Sequence, residues 1–219
     1  MKKLLIIFAL CSLFFAQMSA QKLQIYKNAY VYGQSQRNKS DAGSALSLKD
    51  GYTYAMNDVV KKSNPKNIDI MLVYGKTSSK AEAGFKLFAP GMPVEGDIDW
   101  DKKSGTFPFR YFTASSKDPE GTAWLKNWAT RNATKLQKVE GIDFDNATVE
   151  SISAIDVKNE YITENLKEGD IVLFETAATS STPSKKGLIK IGKIENDPNN
   201  EKGSEPAFQK MNLVVKMVK

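Results

Sequence analysis

The chain has no histidine, and its single cysteine, Cys11, lies within the first twenty residues. The first absence removes the commonest general base near neutral pH together with the commonest imidazole metal ligand. Serine-histidine-acid and cysteine-histidine hydrolases, zinc centres of the ordinary ligand sets and haem ligation by histidine are thereby excluded. Carboxylates, lysine, tyrosine and serine carry whatever chemistry is left. A lone cysteine closes no intrachain disulfide, so the fold has to rest on a packed core. A chain of this length can do so, because a domain of roughly 200 residues buries about 70% of its unfolded surface.

Long apolar runs are also scarce. Leu4 to Ala16 follows Lys2 and Lys3 and gives way to the polar, small-residue exit Met18-Ser19-Ala20-Gln21, the arrangement of an export signal. The run falls short of the roughly 20 residues that cross a bilayer as a helix. Residues 1–20 are therefore expected to be a signal peptide cleaved near Ala20, leaving a periplasmic or secreted chain from Gln21 with no membrane span. Met18 stands where a small residue is usual before the cut. Bulky Leu10 ahead of Cys11 is a poor context for lipidation. Nor is there a strong charge of one sign: 31 Lys and Arg face 25 Asp and Glu. The basic residues are scattered among acidic ones with no dense block, which argues against a nucleic-acid partner.

Residues 21–219 read as one domain, without a repeat or a long linker. Leu23 to Tyr32 is aromatic and β-branched, the pattern of a strand, and Gly33 to Gly43 is a polar loop. Ala45 to Leu48 reads as a short strand before the Lys49-Asp50-Gly51 turn. Tyr52 to Ser63 is predicted to be a helix carrying Tyr54, Val59 and Val60, closed by Asn64-Pro65. Ile68 to Tyr74 has the near-continuous apolar character of a buried strand, and Phe85 to Ala89 is another strand. Phe107 to Phe112 is aromatic, but Pro108 confines it to an edge or to irregular structure. Asp118-Pro119-Glu120 combines a cap, a first-turn proline and a favourable charge, and so predicts a helix with Trp124, Leu125 and Trp128 on the core. A second helix is expected from about Asp145 to Ile155, with Phe144 packing just ahead of it. Three strands follow, at 171–175, 187–194 and 211–218, separated by turn-like stretches as in an antiparallel meander. In the last, Met211, Leu213, Val215 and Met217 share one face, and Asn212, Val214, Lys216 and Val218 form a partly wet one. The expected class is α+β, mainly antiparallel β-sheet in a sandwich or open barrel, with two or three short helices.

Gly43-Ser44, Asn67-Ile68-Asp69-Ile70, Asn132-Ala133-Thr134-Lys135, Asn165-Leu166-Lys167-Glu168-Gly169-Asp170 and Lys186-Gly187-Leu188-Ile189-Lys190-Ile191 together give most of residues 21–219 a likeness to known sequences. The chain resembles a group of uncharacterised exported domains of gut anaerobic bacteria. The resemblance implies a surface or periplasmic protein near glycan-acquisition systems, and it brings no established activity with it.

Three constellations invite a chemical reading. Asp97-Ile98-Asp99-Trp100-Asp101 alternates carboxylates as a calcium loop begins, but Lys102 and Pro108 stand where an EF-hand needs glycine and glutamate. A charged turn is the better reading, and no metal or other cofactor is expected. Ser63-Asn64-Pro65-Lys66 has the serine-x-x-lysine spacing of penicillin-interacting enzymes, yet Pro65 makes a turn where that serine must open a helix. Paired carboxylates for glycoside hydrolysis are set by space and not by spacing along the chain. The candidates are Glu95, Asp97, Asp99, Asp143 and Asp145, and 25 acidic residues make some close pair expected by chance. No residue is assigned a catalytic role.

Aromatic residues offer a binding reading. Tyr26, Tyr30 and Tyr32 alternate along the first strand, where they are expected on one face. Tyr52 and Tyr54 follow a turn, and Trp100 sits among charged neighbours that favour exposure. Exposed rings stack on sugars and anchor binding surfaces. Trp100, Tyr26, Tyr30 and Tyr32 are the candidate ligand-binding residues of an exported, non-enzymatic domain whose partner is a glycan or an envelope protein. The alternative is a carboxylate-dependent glycan-acting hydrolase.

Overall fold

The computed structural model describes residues 21–32, 43, 45–54, 65–75, 82–91, 132–197 and 209–219. These form nine antiparallel strands in two sheets. The first sheet has the order β1-β9-β8-β7-β6, from β1 (Leu23–Tyr32), β6 (Lys135–Val139), β7 (Ile171–Glu175), β8 (Lys186–Glu195) and β9 (Lys210–Val218). The second has the order β3-β2-β4-β5, from β2 (Ala45–Leu46), β3 (Thr53–Tyr54), β4 (Ile70–Gly75) and β5 (Gly84–Phe88). One short helix, α1 (Val149–Ser153), and a 3-10 turn at Pro65–Asn67 complete the regular elements among the described residues. The mainly antiparallel α+β class and the β7-β8-β9 meander are as the sequence implies.

Alternation explains the sandwich. In a strand, successive side chains point to opposite faces, and the inward set of each strand meets in one apolar cluster. Ala29 and Val31 of β1, Ile70 and Leu72 of β4, Phe85 and Leu87 of β5, Val172 and Phe174 of β7, and Met211, Leu213, Val215 and Met217 of β9 all belong to it.

The other face of β9 is partly wet as expected at Asn212 and Val214, which are half-buried, and is covered at Lys216 and Val218. Val218 packs with Leu173, Leu188, Phe144 and Ile152, and Val214 lies against the same cluster. Lys216 is buried there, its ammonium donating to the carbonyls of Phe144 at 2.7 Å and Asp145 at 2.8 Å. Three donors on one ammonium allow a lysine inside where carbonyls meet it. The segment around α1 thus forms a third layer over the first sheet.

α1 itself begins later than Asp145. Asp143 accepts hydrogen bonds from the backbone N–H groups of Asp145 and Asn146, which makes 143–146 a side-chain-stapled turn. Thr148 then caps the helix in a reciprocal box with Ser151. The helix predicted over 52–63 is also corrected at its start. Gly51, at φ +72°, closes a tight turn, and Thr53 and Tyr54 pair as strand residues with Leu46 and Ala45. Residues 55–64 lie outside the described residues. So do the segment 1–20 expected to be a leader, the aromatic stretch 107–112 and the helix expected from Asp118 with Trp124 and Trp128. Strand β6 gave little signal, since only Leu136 of its five side chains is fully buried.

The two sheets are joined along one side. Segment 158–166 runs between their edges, its Glu160 carbonyl accepting from Leu136 N–H of β6, while Tyr161 C=O, Thr163 N–H and Leu166 N–H bond Ala89, Leu87 and Phe85 at β5. At the opposite side β1 lies against β2, β3 and β4, and Tyr32 N–H reaches Gly43 C=O at 2.9 Å. The result is a sandwich laced into a partly closed barrel, and it brings the β2–β3 hairpin up against β1.

Candidate functional site

The β2–β3 hairpin is fixed first by its backbone: Ser47 N–H donates to Tyr52 C=O and Gly51 N–H to Ser47 C=O. The ring of Tyr26, on β1, lies under Gly51 so closely that a Cβ there would stand 2.6 Å from its Cδ1. Glycine is therefore required twice, by the left-handed turn and by the approach of the ring. The Tyr26 hydroxyl donates to the carbonyls of Leu48 at 3.2 Å and Lys49, and it also receives the Gln24 side-chain amide. Burial, followed by the nearby charge of Asp50, pushes the Tyr26 phenol above its ordinary value.

Tyr52 projects from this support. It is 61% exposed, the most exposed of the large apolar side chains among the described residues. Its N–H donates to Asp50 Oδ1 at 3.1 Å, and its ring meets that of Tyr54 edge-to-face, with centroids 4.7 Å apart and planes at 73°. This is a favoured geometry for aromatic pairs. Tyr54 is half-buried, and its phenol is likewise raised by burial first and Asp50 second. The hairpin therefore presents one open ring on a braced platform, with Asp50 as a polar neighbour.

Beneath the hairpin lies a buried polar network centred on Asp69. Its Oδ2 accepts the Leu48 N–H at 2.9 Å, and its Oδ1 accepts Ser180 Oγ–H at 2.6 Å and the Asn132 amide at 3.0 Å. Asn132 also donates to the Lys66 and Ile68 carbonyls, and Ser180 lies 3.3 Å from Thr182 Oγ1. Burial pushes the Asp69 carboxyl up to about 6, against the opposing pull of the Ser180, Leu48 and Asn132 hydrogen bonds. Asp69 was visible in the sequence only as a carboxylate at the head of the apolar run 68–74, and a charge in such a run is itself the signal.

The tyrosines of β1 do not share a face. The pairing of β1 with β9 slips between Tyr26 and Ala29, so Tyr26 stands opposite Val215 while Tyr30 and Tyr32 stand opposite Asn212 and Lys210. A bulge inserts a residue and inverts the alternation beyond it. Tyr26 thus packs on the sandwich core as an anchor, and Tyr30, 38% exposed, lies on the outer face beneath Lys210, whose Nζ is 5.0 Å from its ring. Trp100 lies outside the described residues, as do Ser63, Glu95, Asp97, Asp99 and Asp101. The two described candidate carboxylates are engaged in the fold: Asp143 staples the turn before α1, and Asp145 pairs with Lys190 at 3.1 Å. Among the described residues no three acidic, cysteine or histidine side chains converge as metal ligands, and no helix there is long and apolar enough to cross a membrane.

The class defined by this geometry is an antiparallel β-sandwich with a braced tyrosine hairpin at one edge. A crystal structure of similar architecture is that of a DUF4466 family protein from Parabacteroides merdae, with a TM-score of 0.51 and 20% identity, covering 90% of this chain and 54% of that one. The chain thus spans about half the length of that protein, and the likeness establishes the fold. The neighbour belongs to an uncharacterised family of a gut anaerobe, in keeping with the resemblance drawn from the strand motifs. No protein-family model matches the chain, and neither does any curated protein.

Proposed function

We propose that the protein is an exported, non-enzymatic binding domain that presents Tyr52 to a glycan. The observation that carries this reading is the exposed Tyr52 ring, braced by Tyr54 and by the Tyr26-anchored turn, with Asp50 beside it to meet hydroxyl groups. Rigid aromatic rings bury contact area at low entropic cost, and a few polar groups around them orient the ligand. The export reading comes from residues 1–20, and the glycan reading from the ring and from the company that the resembling domains keep.

A binding screen of residues 21–219 against host and dietary glycans tests the proposal. Tyr52→Ala should weaken the strongest hit by about tenfold or more, the scale on which an aromatic anchor acts, while the melting temperature stays within about 2 °C. Equal binding by the variant would remove Tyr52 as the platform. Capture of an envelope protein in place of any glycan would transfer the same surface to a protein partner.

A further inference from the structure

Asp69 is a buried carboxylate whose bonded partners are all neutral. Leu48 N–H comes from the hairpin, the Asn132 amide from the chain entering β6, and the Ser180 hydroxyl from the β7–β8 loop. The titratable groups acting on it are Asp50, a second carboxylate on the turn, and the Tyr26 phenol on β1. Asn132, Thr179, Ser180 and Thr182, on the remaining sides, carry no charge. An ionised carboxyl enclosed in this way is only partly compensated, because neutral hydrogen bonds return less than the water they replace.

The same atoms accommodate the neutral acid well. Ser180 Oγ already accepts Thr182 N–H at 3.1 Å and lies within reach of Thr182 Oγ1. With a proton on Oδ1, the carboxyl donates to Ser180 Oγ and the serine hydroxyl turns to Thr182 Oγ1, so the chain of donors reverses without moving the backbone. Oδ2 remains a carbonyl-type acceptor for Leu48 N–H. The network therefore has two hydrogen-bond arrangements, and only the ionised one gains by admitting water. The way in runs past Leu48, whose N–H is the one bond from the turn to the Asp69 carboxyl; the Asp69 N–H meets Leu46 C=O on β2, and the turn's other ties are the Tyr26 hydroxyl bonds to the Leu48 and Lys49 carbonyls.

We propose that Asp69 gates the hairpin carrying Tyr52: protonated, it holds the turn closed over the network, and ionised, it favours an opened turn through which water reaches the charge. Linkage fixes the direction. A carboxyl raised to about 6 when closed, and nearer its ordinary value when open, favours the open form as pH rises. If Tyr52 is the binding platform, the consequence is tighter binding on the acid side of that midpoint, and this clause alone rests on the binding reading.

The test uses the ligand-free protein, with NMR shifts and amide exchange of Leu48, Gly51 and Tyr52 followed from about pH 4 to about pH 8. The expected result is a transition centred near 6, with the Leu48 protection factor falling tenfold to about a hundredfold across it. Asp69→Asn should hold the turn protected at every pH, and Asp50→Asn should lower the midpoint. If Asp69→Asn does not fold, Ser180→Ala decides, because loss of a bond that favours the carboxylate must raise the midpoint. A turn that shows no transition, a transition that survives in Asp69→Asn, or a midpoint unmoved by Ser180→Ala would each overturn the proposal. With no ligand present, a negative result here leaves the glycan reading untouched, and a failed glycan screen leaves the titration standing.

Discussion

Gly51 is the residue on which the hairpin depends. Its φ of +72° is a conformation that other residues adopt at a cost, and the Tyr26 ring fills the space a side chain would need. Gly51→Ala should therefore destabilise the protein by about 2 kcal/mol, more than backbone strain alone, since the Tyr26 ring, pinned by its hydroxyl bonds to the turn, cannot swing away. The urea midpoint measures this. A loss below about 0.5 kcal/mol would mean that Tyr26 does not support the turn. Tyr26 and Tyr52 show why residue type is a poor guide to role. Both are tyrosines beside a turn, yet one is an internal brace and the other an exposed ring, because the bulge in β1 points Tyr26 inward and the left-handed glycine turns Tyr52 outward.

At the scale of elements, the third layer depends on contacts made far along the chain. Phe144 and the turn at 143–146 are held against β9 by Lys216, whose ammonium donates to two carbonyls and stands 5.0 Å from the Phe144 ring centroid. Lys216→Ala should cost about 2 to 3 kcal/mol, since it removes two charge-assisted bonds from the turn and opens a gap under the aromatic ring. Guanidinium unfolding of the variant measures it. A near-neutral result would mean that the α1 layer is docked by its apolar contacts alone. Strand β9 also shows where alternation misleads. Its inward methionines and valines identify one buried face correctly, but a lysine in the opposite set reads as a wet face until the covering layer is known.

For the molecule as a whole, pH should act on stability in a direction unusual for a carboxylate. Asp69 is raised from 3.8 to about 6 by burial, so its contribution is fully present below the unfolded value and is lost as pH rises through the folded one. Between about pH 4 and pH 7 the wild type should lose about 2 kcal/mol relative to Asp69→Asn, measured as the difference between their unfolding free energies at the two pH values. A constant difference would show that the three hydrogen bonds fully offset the burial. Asp143 works in the opposite sense, being lowered by the Asn146 side chain and backbone bonds. Its contribution is lost only as pH falls below the ordinary carboxylate range, outside that window. Export bears on the whole chain as well. The intact mass of secreted protein should correspond to residues 21–219 without an acyl group, and a mass retaining residues 2–15 would overturn the leader assignment.

The sequence by itself determined the strands β1, β4, β5, β7, β8 and β9, because a strand's face is a local property written in every second residue. It also determined that no imidazole chemistry is available and that a core must replace disulfides. Tertiary structure alone decided which of the described tyrosines are open, since exposure depends on a bulge, a glycine turn and a neighbouring strand that no local window contains. It likewise joined Leu48, Asp69, Asn132 and Ser180 into one buried network. Those four residues are spread over more than half the chain, and only sheet pairing brings their polar atoms within hydrogen-bonding distance, where burial gives a lone carboxylate its unusual affinity for a proton.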